Sequence, residues 1–224
     1  MFEGFRARRA AAGAEHEEEK AAEGYRQALA SWQVQRDAAA QLVSVAQAEG
    51  TAPDGLVMHR GEVCYGALTN CSLVEERKGA GHFVAGSSGV SIPIGTLHGR
   101  PVRYRVGAAR GHYVQGTPEP TAIATGTMYL TNQRIVFLSS TQTRECRFDK
   151  LVGIQRDDDT GQLMISVSTR QHPTVVSYGP KVAPWVEFHV ELALAHWRGD
   201  VDDLIAQLTA RLAELDDAKP PPPA

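Results

Sequence analysis

The chain has 224 residues, a net charge of −3, 42% hydrophobic and 22% charged residues, a globular balance long enough for one or two domains with a real core. An acidic total excludes bulk attraction for nucleic acid, and no stretch approaches the ~20 apolar residues of a membrane span. The charged N-terminus lacks the apolar run of a secretory signal, and three cysteines, Cys64, Cys71 and Cys146, suit a reducing cytoplasm better than a disulfide framework.

An N-terminal helical segment is expected over 1–49. Within it the helix itself is expected over residues 14–49, which are rich in Ala, Glu, Gln and Arg and contain no proline. Tyr25, Leu29, Trp32, Arg36, Ala39, Val43 and Ala46 recur at alternating steps of three and four, a heptad-like seam. Glu15 and Glu17 to Glu19 suit a helix N-terminus, where the dipole favours negative charge. Gly50-Thr51-Ala52-Pro53-Asp54-Gly55 cannot continue a helix and reads as a linker over 50–55.

From residue 56 to 198 the composition predicts a β-rich domain closed by a helix. The glycine-rich stretch Gly79 to Gly99 reads as a long loop with one short strand near Val90 to Ile94. Val102, Tyr104 and Val106 alternate with Arg103 and Arg105, a strand with one apolar and one basic face. Residues 108–125 read as a second connection. Strands are then expected at Gly126–Leu130, Arg134–Leu138, Arg144–Phe148, Leu151–Gln155, Leu163–Ser168 and Thr174–Tyr178. Connections this short exclude crossover helices and predict an antiparallel meander. Pro184 suits a first helical turn, with Trp185, Phe188, Leu192 and Ala195 on one stripe. Gly199 breaks that helix, Asp200 and Asp203 cap an amphipathic one over 200–215, and the proline-rich tail 216–224 is expected to be disordered.

The run Gly126-Thr127-Met128-Tyr129-Leu130-Thr131-Asn132-Gln133-Arg134-Ile135-Val136-Phe137 resembles the core signature of GRAM and bacterial pleckstrin-homology-like domains. Phe148 to Ile154 is similar to the strand that follows in that family, and the close match spans 126–154. The resemblance implies an α+β fold: a bent antiparallel sheet of about seven strands capped by a C-terminal helix, here preceded by the long N-terminal helix. It also implies a lipid- or protein-binding module rather than an enzyme, with ligand residues usually on early strands and their loops.

Arg100, Arg103, Arg105 and Arg110, with His112, form the one local basic cluster. Arg103 and Arg105 would project from one strand face about 6–7 Å apart, a spacing at which two guanidinium forks can hold a phosphate or an acidic peptide. A solvated strand face is the alternative. Gly86-Ser87-Ser88-Gly89 lacks the Lys-Ser/Thr of a phosphate loop. Cys64 and Cys71, near His59 and His82, lack the spacing of structural zinc ligands and read as core cysteines. Asp157-Asp158-Asp159-Thr160-Gly161 reads as a hairpin turn rather than a calcium loop. No catalytic residue, metal or cofactor is expected. Arg6, Arg8 and Arg9 beside Phe2 and Phe5 form at most a weak membrane anchor. The seam around Trp32 fits either self-association or partner binding, or packing on the chain's own C-terminal helix. The expected role is a cytoplasmic scaffold or adaptor that contacts protein or, peripherally, acidic lipid, with two alternatives: a structural subunit docking through its helix, or a cryptic enzyme.

Overall fold

The computed structural model describes the backbone of residues 2–76, 83–84, 90–97, 100–106, 112–113 and 120–223, and side chains over 16–75 and 121–223. Three helices, α1 (Phe2–Gln47), α2 (Ala183–Arg198) and α3 (Val201–Asp217), accompany the strands. Two compact units divide the chain, Met1–Gln47 with Ile205–Ala224, and Ala48–Leu204. No helix among the described residues is long and apolar enough to cross a membrane.

In the first unit the chain's two ends meet. The Trp32 indole Nε1 donates to the Leu215 carbonyl at 2.6 Å, and Arg36 Nε donates to Asp216 at 2.7 Å. The Lys219 ammonium lies 5.6 Å from the centre of the Trp32 ring. Of the two readings of the Trp32 seam, this part of it faces the chain's own C-terminal helix, and Arg36, an odd member of an apolar stripe, sits there for its carboxylate. The helix also starts at Phe2, well before residue 14. Glu15 and Glu17 to Glu19 therefore lie inside it instead of marking its start. Ala-rich sequence carries the helix through them, since propensity outweighs a local charge signal over so long a run.

The second unit is a seven-stranded antiparallel sheet in the order β8-β7-β6-β1-β11-β10-β9. Its members are β1 (Cys64–Glu76), β6 (Pro120–Thr131), β7 (Arg134–Leu138), β8 (Thr143–Arg147), β9 (Leu151–Asp157), β10 (Gln162–Val167) and β11 (Thr174–Ser177). Among the described residues between β1 and β6 there are four further strands: β2 (Phe83–Val84) pairs β5 (His112–Tyr113), and β3 (Val90–Leu97) pairs β4 (Arg100–Val106). The fold is α+β, as expected, but the sheet is not one meander. β6-β7-β8 and β9-β10-β11 are two three-stranded meanders, and a 3-10 turn at Phe148–Lys150 carries the chain between them without pairing β8 to β9.

The bridge is β1, whose strand identity the sequence pattern hides. Along its 13 residues it pairs β6, and Ser72 to Val74 also pair β11. Its register shifts three times, between Cys64 and Gly66, Leu68 and Cys71, and Leu73 and Val74. Each bulge bends a strand and breaks its apolar–polar alternation. Asn70, with φ of 59°, supplies the left-handed residue at the middle shift. The resulting curl brings β8 near β10, although the two are not hydrogen-bonded neighbours.

Helix α2 fills the concave side. Val186, Val190, Ala193 and Leu194 join Leu73, Met128, Leu130, Ile135, Phe137, Phe148, Leu163, Ile165, Val167 and Val176 in one buried cluster. Gly66 allows this approach: a Cβ there would lie 2.8 Å from His189 and 2.9 Å from Trp185. Arg156 of β9 ties the helix to the sheet through Glu187 at 2.7 Å. Gly199, with φ of 80°, ends α2 by donating its N–H to the Ala195 carbonyl at 2.9 Å, so the glycine stop read from sequence is a left-handed cap.

Two expectations follow. Trp32→Ala should speed amide exchange across 205–217 roughly tenfold, because it removes a hydrogen bond worth about 1 kcal/mol and a ring contact. Gly161 has φ of 67°, and a Cβ there would lie 2.0 Å from the Gly179 backbone. Gly161→Ala should therefore cost about 2–4 kcal/mol, read as a fall in Tm of about 2–4 °C per kcal/mol.

Candidate functional site

The arginine cluster lies on the connection between the first two strands of the main sheet. Arg100, Arg103 and Arg105 fall on β4, where Leu97, Pro93 and Ser91 of β3 oppose them in register. Their side chains, with Arg110 and His82 entirely, lie outside the described residues. The long glycine-rich loop expected over 79–99 contains β3, longer than the short strand near Val90 to Ile94, and β3 and β4 form an antiparallel hairpin.

The other residues singled out for chemistry are committed to structure. All three cysteines are free and buried, with at most 3% exposure. Burial raises each thiol, Cys71 to about 11, so none presents a thiolate at neutral pH. The Cys64 and Cys71 thiols donate to the Gly66 and Leu68 carbonyls, each at 3.2 Å, at two of the bulges of β1. Asp157 closes the hairpin turn by accepting from the N–H of Asp159 at 3.1 Å and of Thr160 at 3.2 Å, and from the Thr160 hydroxyl at 2.7 Å. His189 stacks on Trp185 with ring centres 3.8 Å apart and donates Nδ1–H to the Trp185 carbonyl. His196 stacks on Tyr65 at the same separation. Burial depresses both imidazoles below the ordinary histidine range, and both rings serve as packing surfaces. Among the described residues no group of three or more His, Cys, Asp or Glu side chains is arranged to hold a metal ion.

Among the described residues, the most elaborate polar assembly is built on Thr131-Asn132-Gln133-Arg134, the turn between β6 and β7, and it grips the segment leading into β1. Arg134 Nε and Nη2 donate to the two oxygens of Glu62 at 2.7 and 2.9 Å, a bidentate pair. Nη2 also donates to the Val57 carbonyl at 2.7 Å, and Nη1 lies 3.2 Å from Glu145. Glu62 accepts from the Thr131 hydroxyl at 2.8 Å and from the His59 N–H at 2.7 Å. Asn132 accepts from the Val63 N–H and donates to the Gly61 carbonyl, and Gln133 donates to the Arg60 carbonyl. The Glu62 side chain is 0% exposed and that of Arg134 7%. Burial alone would raise the Glu62 carboxyl. The bonds from Arg134, the His59 N–H and Thr131, with the guanidinium charge, outweigh it and hold the carboxyl below its ordinary range.

Sequence reasoning found Asn132 as a turn residue and Arg134 as a strand opener, but not their shared grip on 57–63. The available signal was the pairing of a lone glutamate, Glu62, just before one strand with an arginine opening another.

Comparison of the chain with protein-family models, with curated proteins and with solved structures finds no match in any of the three.

Glu62→Gln should destabilise the domain by about 2–4 kcal/mol, because Arg134 would keep only Glu145 as a charged partner. Pairing it with Arg134→Met should recover part of that loss. The folded carboxyl sits below the ordinary 4.5. Its stabilisation is therefore complete above that value and fades as pH falls through the lower folded one, so denaturant titration from pH 7 to 3 should give a flatter profile for the double variant than for the parent.

Proposed function

We propose that the chain is a non-catalytic binding module of the pleckstrin-homology/GRAM type, acting as a scaffold or adaptor. The reading draws its support from the sheet order, in which the first strand bridges two three-stranded meanders, from α2 filling the concave side, and from the Leu-Thr-Asn-Gln-Arg turn. The observation that carries it is the position of the basic hairpin: the chain spends the stretch between β1 and β6 on β3 and β4, and puts Arg100, Arg103 and Arg105 on one strand of it.

The ligand is an acidic protein segment, which a pair of guanidinium forks two residues apart on a strand can grip. Protein is favoured over acidic lipid because the cluster is modest and the whole chain carries −3. Helix α1 supplies the second contact, toward a protein partner, in the region beyond Trp32.

Fluorescence anisotropy with a labelled poly-glutamate peptide, together with flotation on phosphatidylserine vesicles, tests the assignment. The parent should bind the peptide and leave the vesicles, and Arg103→Glu with Arg105→Glu should weaken peptide binding at least about tenfold, from two charge-assisted contacts of ~1 kcal/mol or more each. Flotation of the parent, lost in the same variant, would move the ligand to lipid. Peptide binding unchanged by the variant would remove the site.

A further inference from the structure

Helix α2 is buried on two opposite sides. Val186, Val190, Ala193 and Leu194 enter the sheet's buried cluster. At about 3.6 residues per turn, Phe188, Leu192 and Ala195 lie roughly half a turn from them. They belong to no part of that cluster, yet each is at most 2% exposed. The outer stripe of α2 therefore has a second cover. Among the described residues, the strands whose backbones run most closely along α2 are β1, β6 and β4. The first two belong to the seven-stranded sheet, and β4 does not.

The ribbon of β3 and β4 needs a seat in its turn. It is a separate two-stranded sheet, and two strands alone are marginal in water unless one face packs on something. Register supplies such a face. Val90 opposes Val106, Ile92 opposes Tyr104 and Gly95 opposes Val102. Directly opposed residues share a face and successive residues alternate, so these positions make one apolar face across both strands. The other face carries Arg103 opposite Pro93 and Arg105 opposite Ser91. The register shift between Pro93 and Gly95 absorbs Ile94 and keeps the two faces distinct on either side of it. Arg100 stands four residues before Tyr104, so it falls at the end of the apolar face and not with Arg103 and Arg105. Neither strand contains an acidic residue to set against the arginine pair.

We propose that the apolar face of this ribbon is seated on Phe188, Leu192 and Ala195 of α2, and that the ligand face consists of Arg103 and Arg105 with Ser91 and Pro93, without Arg100. The ligand half of the proposal rests on the binding reading given above and divides its arginine cluster in two. Three observations meet in the seat. α2 has a buried stripe on the side away from the sheet, β4 is the strand that reaches α2 from outside the sheet, and the ribbon has one apolar face to cover. Seated this way, the ribbon turns the face of Arg103 and Arg105 away from the helix. An acidic segment laid along β4 then meets two guanidinium forks beside the short residues of β3. Phe188 and Leu192 act as positioning residues, holding the arginine strand without touching the ligand.

Maleimide labelling of the full chain reads the seat without any ligand, because Cys64, Cys71 and Cys146 are buried and stay silent in the folded domain. Arg103→Cys and Arg105→Cys should each label at least about tenfold faster than Tyr104→Cys. Adding Leu192→Ala should raise the Tyr104→Cys rate about tenfold and weaken binding of the labelled poly-glutamate peptide, with the native thiols still silent, and Leu192→Met should restore both. Arg100→Glu should change peptide affinity less than about threefold, because screening confines its effect to its own face. Equal labelling along β4, protection of Arg103→Cys and Arg105→Cys with Tyr104→Cys reactive, or a Tyr104→Cys rate that ignores Leu192→Ala would each overturn the proposal. So would a loss of affinity in Arg100→Glu equal to that of the Arg103 and Arg105 variant. If Leu192→Ala frees the native thiols as well, the alternation along β4 and the Arg100→Glu comparison decide. Alternating protection in a chain that binds no peptide removes the ligand face and leaves the seat, whereas peptide binding with equal labelling removes the seat alone.

Discussion

The bidentate pair between Glu62 and Arg134 is the constraint on which the sheet unit turns. Two ions are held almost without solvent: beyond their mutual bonds, Glu62 accepts from the Thr131 hydroxyl and the His59 N–H, and Arg134 reaches the Val57 carbonyl and Glu145. Desolvating such a pair costs several kcal/mol per ion, and the mutual attraction repays it only where the geometry is this complete. Its net contribution to stability is therefore modest, and its contribution to register is large. A hydrophobic contact between β6 and the segment before β1 would tolerate sliding by a residue. A fork on a carboxylate does not, and Asn132 and Gln133 add backbone bonds on either side of it.

That register matters because β1 is the only strand in the seven-stranded sheet that joins its halves. Its first part pairs β6 alone, and its later part pairs both β6 and β11. A slip by one residue would exchange the faces of Cys71 and Leu73, both buried, with those of their neighbours. Three bulges already complicate the alternation, so the strand cannot set its own pairing from side-chain pattern alone. The clamp fixes its start, the left-handed Asn70 fixes its middle, and Gly66 leaves room for Trp185 and His189 of α2. The curled surface so produced is what α2 fills.

The recognition chemistry proposed above is assigned to residues that this scaffold does not use for packing. The cysteines, the paired histidines and the aspartate turn all serve packing or backbone closure. The stretch between β1 and β6 is different: it returns to the sheet only after making two small antiparallel pairings, and it carries the arginine run. Arg103 and Arg105 were legible as a strand because the alternation with Val102, Tyr104 and Val106 is undisturbed. The β3 partner was half legible, since Pro93 and Gly95 interrupt its pattern and a register shift falls between them. β1 was not legible at all, for the same reason on a larger scale. The helix start was misplaced because a glutamate cluster is a valid N-terminal signal in a short helix and an ordinary interior feature in a 46-residue one.

By itself the sequence determined the local elements: the alanine-rich helix, the strands from residue 126 to 177, the Asn132 turn, and the glycine stop at 199, each set by interactions within a few residues. Tertiary structure decided what those elements do to one another. It joined Trp32 to Leu215 across the length of the chain, split the expected meander in two around β1, and put Glu62 on Arg134. Those outcomes depend on long-range pairing, whose partners are chosen by shape, burial and charge in three dimensions and leave no periodic mark along the chain.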